Sequence, residues 1–192
     1  LYFGKTLHEK GASIAMFRAL SSGVANVSDA AVILSNYTYT ITVNDSSNAE
    51  RHFKEDKSVA LVSPDWFKMF DYKWIAGNPG QLSLPNTAVI TQKQSEKYFG
   101  NSNPIGKIIV FENRQAVTIV GLLNDKPYNT DLKSDIFVSL SSLKNLSPGT
   151  FDGFFTDWAW MKSTTSLYIT LNNEKNKSEA EATINSIAKE NL

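Results

Sequence analysis

Between Thr91 and Asp125 the chain reads TQKQSEKYFGNSNPIGKIIVFENRQAVTIVGLLND, which predicts a helix, a turn and two strands. Thr91 and Gln94 stand at capping-box spacing, so the Thr91 hydroxyl can accept from the third backbone N–H while Gln94 reaches back. Tyr98 and Phe99 end the helix on an apolar note. Gly100 comes next, where a left-handed residue is needed and only glycine takes it without strain. NSNPIG is a turn in which short polar side chains bond the local backbone and Pro104 fixes φ. KIIVF and VTIVGLL are short β-branched runs, and so strands.

Gly100 to Lys107 invites reading as a nucleotide-binding loop, G-x-x-x-x-G-K-[ST], and the chemistry rules it out. The spacing between Gly100 and Gly106 is one residue too long. Ile108 stands where a hydroxyl must reach magnesium. The loop leads into a strand, whereas a phosphate loop must open a helix whose N–H groups face the anion.

A chain of 192 residues can bury a sizeable core, as one domain or two small ones. Lys plus Arg equals Asp plus Glu, 19 each, which argues against a nucleic-acid partner and against an anionic-membrane surface binder. No apolar run approaches the roughly 18–20 residues that span a bilayer. There is no signal peptide and Leu1 comes first, so the expectation is a processed chain or an excised piece of a longer one. The absence of cysteine removes disulfides and thiolate metal sites. The N-x-[ST] triplets at Asn26, Asn36, Asn44, Asn145 and Asn176 are not read as glycosylation in a chain this rich in Asn and Ser.

From Leu7 to about Gly23 the period is helical. Tyr37 to Val43 alternates as a half-buried strand, 44–48 is a turn or loop, and Ser58 to Val62 is a second strand. Ser63 and Pro64 read as N-cap and N1 of a helix carrying Trp66, Phe67, Met69 and Phe70, an aromatic turn expected to anchor the core. The breakers at 77–80 are the candidate subdomain boundary. Thr87 to Ile90 is a strand leading into the Thr91 cap. Asp135 to Ser139 is another strand, and Leu140 to Leu146 a short helix. Ser166 to Leu171 alternates again. Ser178 and Glu181 form a second capping box ahead of an amphipathic last helix with Ala180, Ile184, Ile187 and Ala188 on one face. Helices alternate with strands throughout, which predicts an α+β layered fold.

KYFGNSNPIGKIIVFENRQAVTIVGLLND resembles the (Y/F)FG…(D/N)P(I/L)GK…(F/Y)xVVGVxxD pattern of the MacB-like periplasmic core domain of ABC-transporter permeases of MacB/FtsX type. VSPDWFKMFDYKWIAGN resembles the same family's V(S/D)PDYFxxFxxxxxxGR segment, with Asn78 where many relatives carry Arg. The match spans about Val62 to Asp125, with a weaker echo at Asp135–Leu143. The residues that carry it are Pro64, Phe67, Phe70 and Gly77 in the first piece and Phe99, Gly100, Pro104, Ile105, Gly106, Lys107, Val120 and Gly121 in the second. The resemblance implies a porter-like α/β subdomain from 1–77 and 134–192, with a smaller mixed α/β subdomain, 78–133, inserted into it. It also implies a place on the periplasmic side of the bacterial inner membrane, tethered by the permease's own transmembrane helices. The implied partners are a cytoplasmic ATPase and a periplasmic adaptor or lipoprotein, and no cofactor is implied.

No catalytic constellation emerges from the residues. His8 and His52 lie at no metal-ligand spacing, and there is no G-x-S-x-G elbow. Asp125, Asp131 and Asp135 form a loose carboxylate group; a hydrolase would need them to converge on one cleft, and solvated turn carboxylates are the simpler reading. Phe151, Phe154, Phe155, Trp158 and Trp160 are open to two readings, core or an exposed interaction patch. The second would suit a free-standing secreted carbohydrate- or protein-binding module, the alternative to a force-transmitting permease domain that makes and breaks no bonds.

Overall fold

The computed structural model describes residues 11–44, 49–126, 130–146, 149 and 153–191. In chain order the elements are α1 (Ile14–Ser21), β1 (Val27–Asn44), β2 (Glu50–Val62), α2 (Trp66–Met69), β3 (Trp74–Ala76), β4 (Thr87–Thr91), α3 (Gln92–Phe99), β5 (Ile108–Phe111), β6 (Gln115–Leu123), β7 (Ile136–Ser139), α4 (Leu143–Leu146), β8 (Thr165–Leu171) and α5 (Lys177–Asn191). A 3-10 turn spans Pro79–Ser83, and others precede α4 and α5. The mixed α+β class read from the alternation of periods is what the chain adopts.

Two compact units divide the chain, 33–152 and 1–32 with 153–192. In the first, β2 pairs in parallel with β7, β7 antiparallel with β4, β4 in parallel with β6, and β6 antiparallel with β5. β5 pairs with β1 at Ile41 and Thr42, and β1 pairs back onto β2, so the ladder returns to where it began. Strands on either side of the seams expected at 77/78 and 133/134 pair with each other, β3 with β6 and β7 with β4, while the β2–β7 pair lies within the expected 1–77 and 134–192 subdomain. Along β6 the residues Val117, Ile119, Gly121 and Leu123 are buried while those between them are not, the period of a strand with one covered face. β4 is buried at every position.

The aromatic turn after Pro64 does anchor the core: Trp66 and Phe67 are buried, and the Phe67 ring lies 5.1–5.4 Å from Tyr72, Trp74 and Phe137 at edge-on angles. α2 starts later than expected, with Asp65 rather than Ser63 at its cap; Ser63 instead gives its carbonyl to the Trp66 N–H. β1 is far longer than the alternation at 37–43 suggested. Its first half runs through Ala30–Leu34, all buried, where continuous burial leaves no period to read. A left-handed Asn36 marks the bulge where the two halves meet.

In the second unit α1 begins at Ser13, whose hydroxyl accepts from the Met16 N–H, and buries Ile14, Ala15 and Leu20. The helix expected from Leu7 is therefore shorter at its start: residues 11–13 are not helical, and Ala12 bridges Lys162 instead, while Leu7 itself and the turn at 45–48 lie outside the described residues. β8 neighbours β1, and the Ser28 hydroxyl donates to the Thr170 carbonyl. Ser178 does not cap α5. The helix begins at Lys177 after a 3-10 turn, and Asn173 accepts from the Lys175 N–H ahead of it. Ala180 is buried; Ile184, Ile187 and Ala188 are half-buried.

Candidate functional site

The residues of the Thr91–Asp125 segment converge on α3, which is fastened at three points. At its start the Thr91 hydroxyl accepts from the Gln94 N–H at 3.4 Å, the capping bond expected from the spacing. Asp125, at the end of β6, accepts from the Lys93 N–H at 2.8 Å, so the final carboxylate of the motif satisfies an orphan donor of the helix and complements its positive end. Asp125→Ala is expected to lower the unfolding free energy by about 1 kcal/mol, seen as a lower urea midpoint at unchanged slope. At the far end the Arg51 guanidinium donates to the carbonyls of Tyr98 and Lys97, placing a cation at the negative end of the dipole.

The third fastening is Glu55 of β2, a carboxylate with only 4% of its surface exposed. It accepts from the Lys97 ammonium at 2.6 Å, the Tyr98 hydroxyl at 2.7 Å, the Gln94 side-chain amide at 2.8 Å and the Ser58 hydroxyl at 3.0 Å. Gln94 therefore does not reach back to close a capping box, because a buried acceptor that needs its amide competes for it. Burial alone pushes the Glu55 carboxyl up; the hydrogen bonds from Lys97, Tyr98, Gln94 and Ser58 outweigh it and hold the group below the ordinary carboxylate range. Burial, and then the charge it donates to, push the Tyr98 phenol well above its ordinary value. Neither Glu55 nor Arg51 was legible as functional in the sequence. The available signal was that Arg51, Phe53 and Glu55 share one parity of a strand.

The remaining motif residues build the frame around this helix. Pro104 is buried and its carbonyl accepts from the Lys107 N–H, the Gly106 N–H donates to the Ile119 carbonyl at 2.8 Å, and Ile119 N–H returns a bond to the Lys107 carbonyl. Ile105 is held through its N–H by the Asn103 side chain. Phe70 lies 4.1 Å from Trp66 ring to ring. Gly77 and Gly121 meet across the β3–β6 pair: a methyl group on Gly77 would lie 2.2 Å from the Val120 carbonyl oxygen, and one on Gly121 would lie 2.6 Å from the Trp74 ring.

Clefts formed by the described residues of this unit include two near the ends of α3. One, of about 600 Å³, is lined by Phe70, Asp71, Tyr72, Lys73, Asn124, Asp125, Lys126, Thr130 and Leu132. The other, of about 360 Å³, lies at the end of α3 between Asn44, Arg51, Tyr98, Phe99, Gly100, Ser102 and Lys107.

The carboxylates considered for hydrolysis have other occupations. Asp125 caps α3, Asp135 pairs with Lys126 at 2.9 Å, and Asp131 is exposed. His52 bonds the Thr42 hydroxyl through Nδ1 at 2.9 Å, while His8 lies outside the described residues. Among the described residues no three His, Asp or Glu side chains are grouped to hold a metal. Of the aromatic group at the start of the C-terminal stretch, Phe154 is fully buried, and Phe155, Trp158 and Trp160 are half-buried. The planes of Phe154 and Trp160 meet at 76°, so these two rings do not form a coplanar stacking face. Phe151 lies outside the described residues.

A family model described as the MacB-like periplasmic core domain matches residues 4–187. A search of the curated proteins found no match. The fold is shared with a domain of a candidate permease protein from Porphyromonas gingivalis, with a TM-score of 0.75 at 18% identity over 96% of this chain and 79% of that one. It is shared with the periplasmic region of MacB from Actinobacillus actinomycetemcomitans, at 0.66 and 15% identity over 99% and 79%. It is shared also with the extracellular domain of the ABC-type transporter YknZ from Gram-positive bacteria, at 0.65 and 16% identity over 94% and 84%. The frame built by Gly77, Pro104–Lys107 and Gly121 thus lies within a match that runs over nearly the whole sequence, and the chain belongs to the MacB-like periplasmic core domain family of ABC-transporter permeases.

Proposed function

We propose that this domain transmits force outside the membrane: anchored on the periplasmic side of the inner membrane by its permease's transmembrane helices, it couples ATP hydrolysis by a cytoplasmic ATPase to movement of an adaptor, a lipoprotein or an exported substrate. Among the described residues no helix is long and apolar enough to cross a membrane, so in this reading the anchors belong to the rest of the permease. The observation that carries the reading is the fastening of α3. Helix, β2 and β6 are joined by charge-assisted hydrogen bonds at Glu55 and Asp125, which resist relative displacement as a lever or docking body must.

The test uses the full-length permease reconstituted with its ATPase. These 192 residues contain no cysteine, so once any cysteine elsewhere in the permease is replaced, Ser102→Cys carries one spin label at a defined place, and a second goes at the periplasmic end of a flanking transmembrane helix. The expected result is a change in the distance distribution between nucleotide-free and ATP-trapped states. The same distribution in both states contradicts the coupling.

A further inference from the structure

The smaller cleft, at the C-terminal end of α3, carries positive charge, of which the negative end of the helix takes up only part. Among the described residues its lining carries two cations, Arg51 and Lys107, and no carboxylate, in a chain whose charges balance overall. Neither cation belongs to an ion pair among the described residues. Both are nevertheless held in place. The Arg51 guanidinium is bonded to the carbonyls of Tyr98 and Lys97 and lies 5.2 Å from the centre of the Phe53 ring. The Lys107 ammonium lies 4.6 Å from the centre of the Phe99 ring.

Arg51 spends part of its charge on the negative end of the helix; among the described residues the Lys107 ammonium has no such carbonyl partner. Ser102 and Asn44, also in the lining, carry a hydroxyl and a side-chain amide that can donate as neutral groups. A planar carboxylate is read best by an unencumbered, bidentate arginine, and here the fork is already engaged with two carbonyls. Donors arriving from several elements, one of them a lysine point charge, suit a tetrahedral dianion better.

We propose that this cleft binds a phosphate group, with Lys107 and Arg51 as its charged ligands and Ser102 and Asn44 as neutral ones. The group could be carried by a free phosphate or by a lipid headgroup, since both present the same oxygens.

The test is a titration of the ¹⁵N-labelled 192-residue chain with inorganic phosphate, and with acetate at matched ionic strength. Phosphate is expected to move the amides of Gly100, Ser102 and Lys107 saturably with a Kd of about 1 mM, and acetate to move them less. Lys107→Gln, which removes the ammonium and its contact with the Phe99 ring but no hydrogen bond among the described residues, should lower the urea midpoint only slightly and weaken phosphate about tenfold. Ser102→Ala should weaken it less. Broadening of the same amides by phosphatidylglycerol vesicles assigns the group to a headgroup, and its absence to a free phosphate. Shifts that do not saturate, that acetate reproduces in full, or that survive Lys107→Gln unchanged would overturn the site.

Discussion

Glu55→Ala is expected to lower the unfolding free energy by about 3 kcal/mol, read from urea denaturation at neutral pH. The Tyr98 hydroxyl and the Gln94 amide are buried groups that both lose their acceptor. Each orphaned buried donor costs about 1–3 kcal/mol. Lys97 adds little, because its side chain is 42% exposed and water takes over its solvation. Glu55→Gln keeps an acceptor in the same place and is expected to recover roughly half of the loss. A buried-charge explanation and a packing explanation therefore separate in the comparison of the two variants.

The same carboxylate sets a pH dependence. Its folded-state pKa is depressed, so as pH falls the unfolded chain takes up the proton first. The contribution is complete above about pH 5, beyond the ordinary carboxylate range. It is lost as pH drops through that range and on through the depressed folded value. The gap in stability between the native chain and Glu55→Gln should therefore narrow below about pH 4.

Gly77→Ala is expected to be as damaging, about 3 kcal/mol or more, with a matching fall in the thermal midpoint. Gly77 has φ +81°, which costs an L-residue roughly 1–2 kcal/mol by itself. A methyl group there would also lie 2.2 Å from the Val120 carbonyl oxygen and 2.8 Å from the Gly121 Cα. Those are backbone atoms inside the β3–β6 pair and cannot rotate away. Gly100 supplies the contrast: its φ is +58° and ψ −131°, a positive-φ conformation outside the left-handed helical well expected of it, with open space where the methyl would go, so Gly100→Ala should cost only the backbone penalty, about 1–2 kcal/mol. A similar loss at both positions would place the whole effect in backbone conformation and none in the close approach.

What was legible in the sequence was what local chemistry decides. Thr91 caps α3 because its spacing to the third N–H allows it, and β6 shows its period because one face is covered. The aromatic turn after Pro64 reads as core because it lacks the interleaved basic residues a base-stacking surface needs, and Trp66 is indeed buried. What escaped was decided by partners distant in sequence. Gln94 abandons the capping box for Glu55, 39 residues earlier, and nothing within α3 announces that acceptor. The first half of β1 is buried without alternation, so the length of the strand left no periodic trace. β3 is three residues long and exists through its pairing with β6, a partner no local window contains. The carboxylates at 125 and 135 looked like a set only because they are close in sequence. The fold gives one to the start of a helix and the other to Lys126.

The force-transmitting reading rests on α3 belonging to the same mechanical body as the strands that hold it. Native-state hydrogen exchange on the 192-residue chain measures this directly, by comparing opening free energies for the amides of Gln94–Gly100 with those of β4 and β6. The two sets should share the global unfolding free energy and fall together in Glu55→Ala. An α3 that opens at far lower free energy while β4 and β6 stay protected would show a helix merely resting on the sheet, and would contradict the reading.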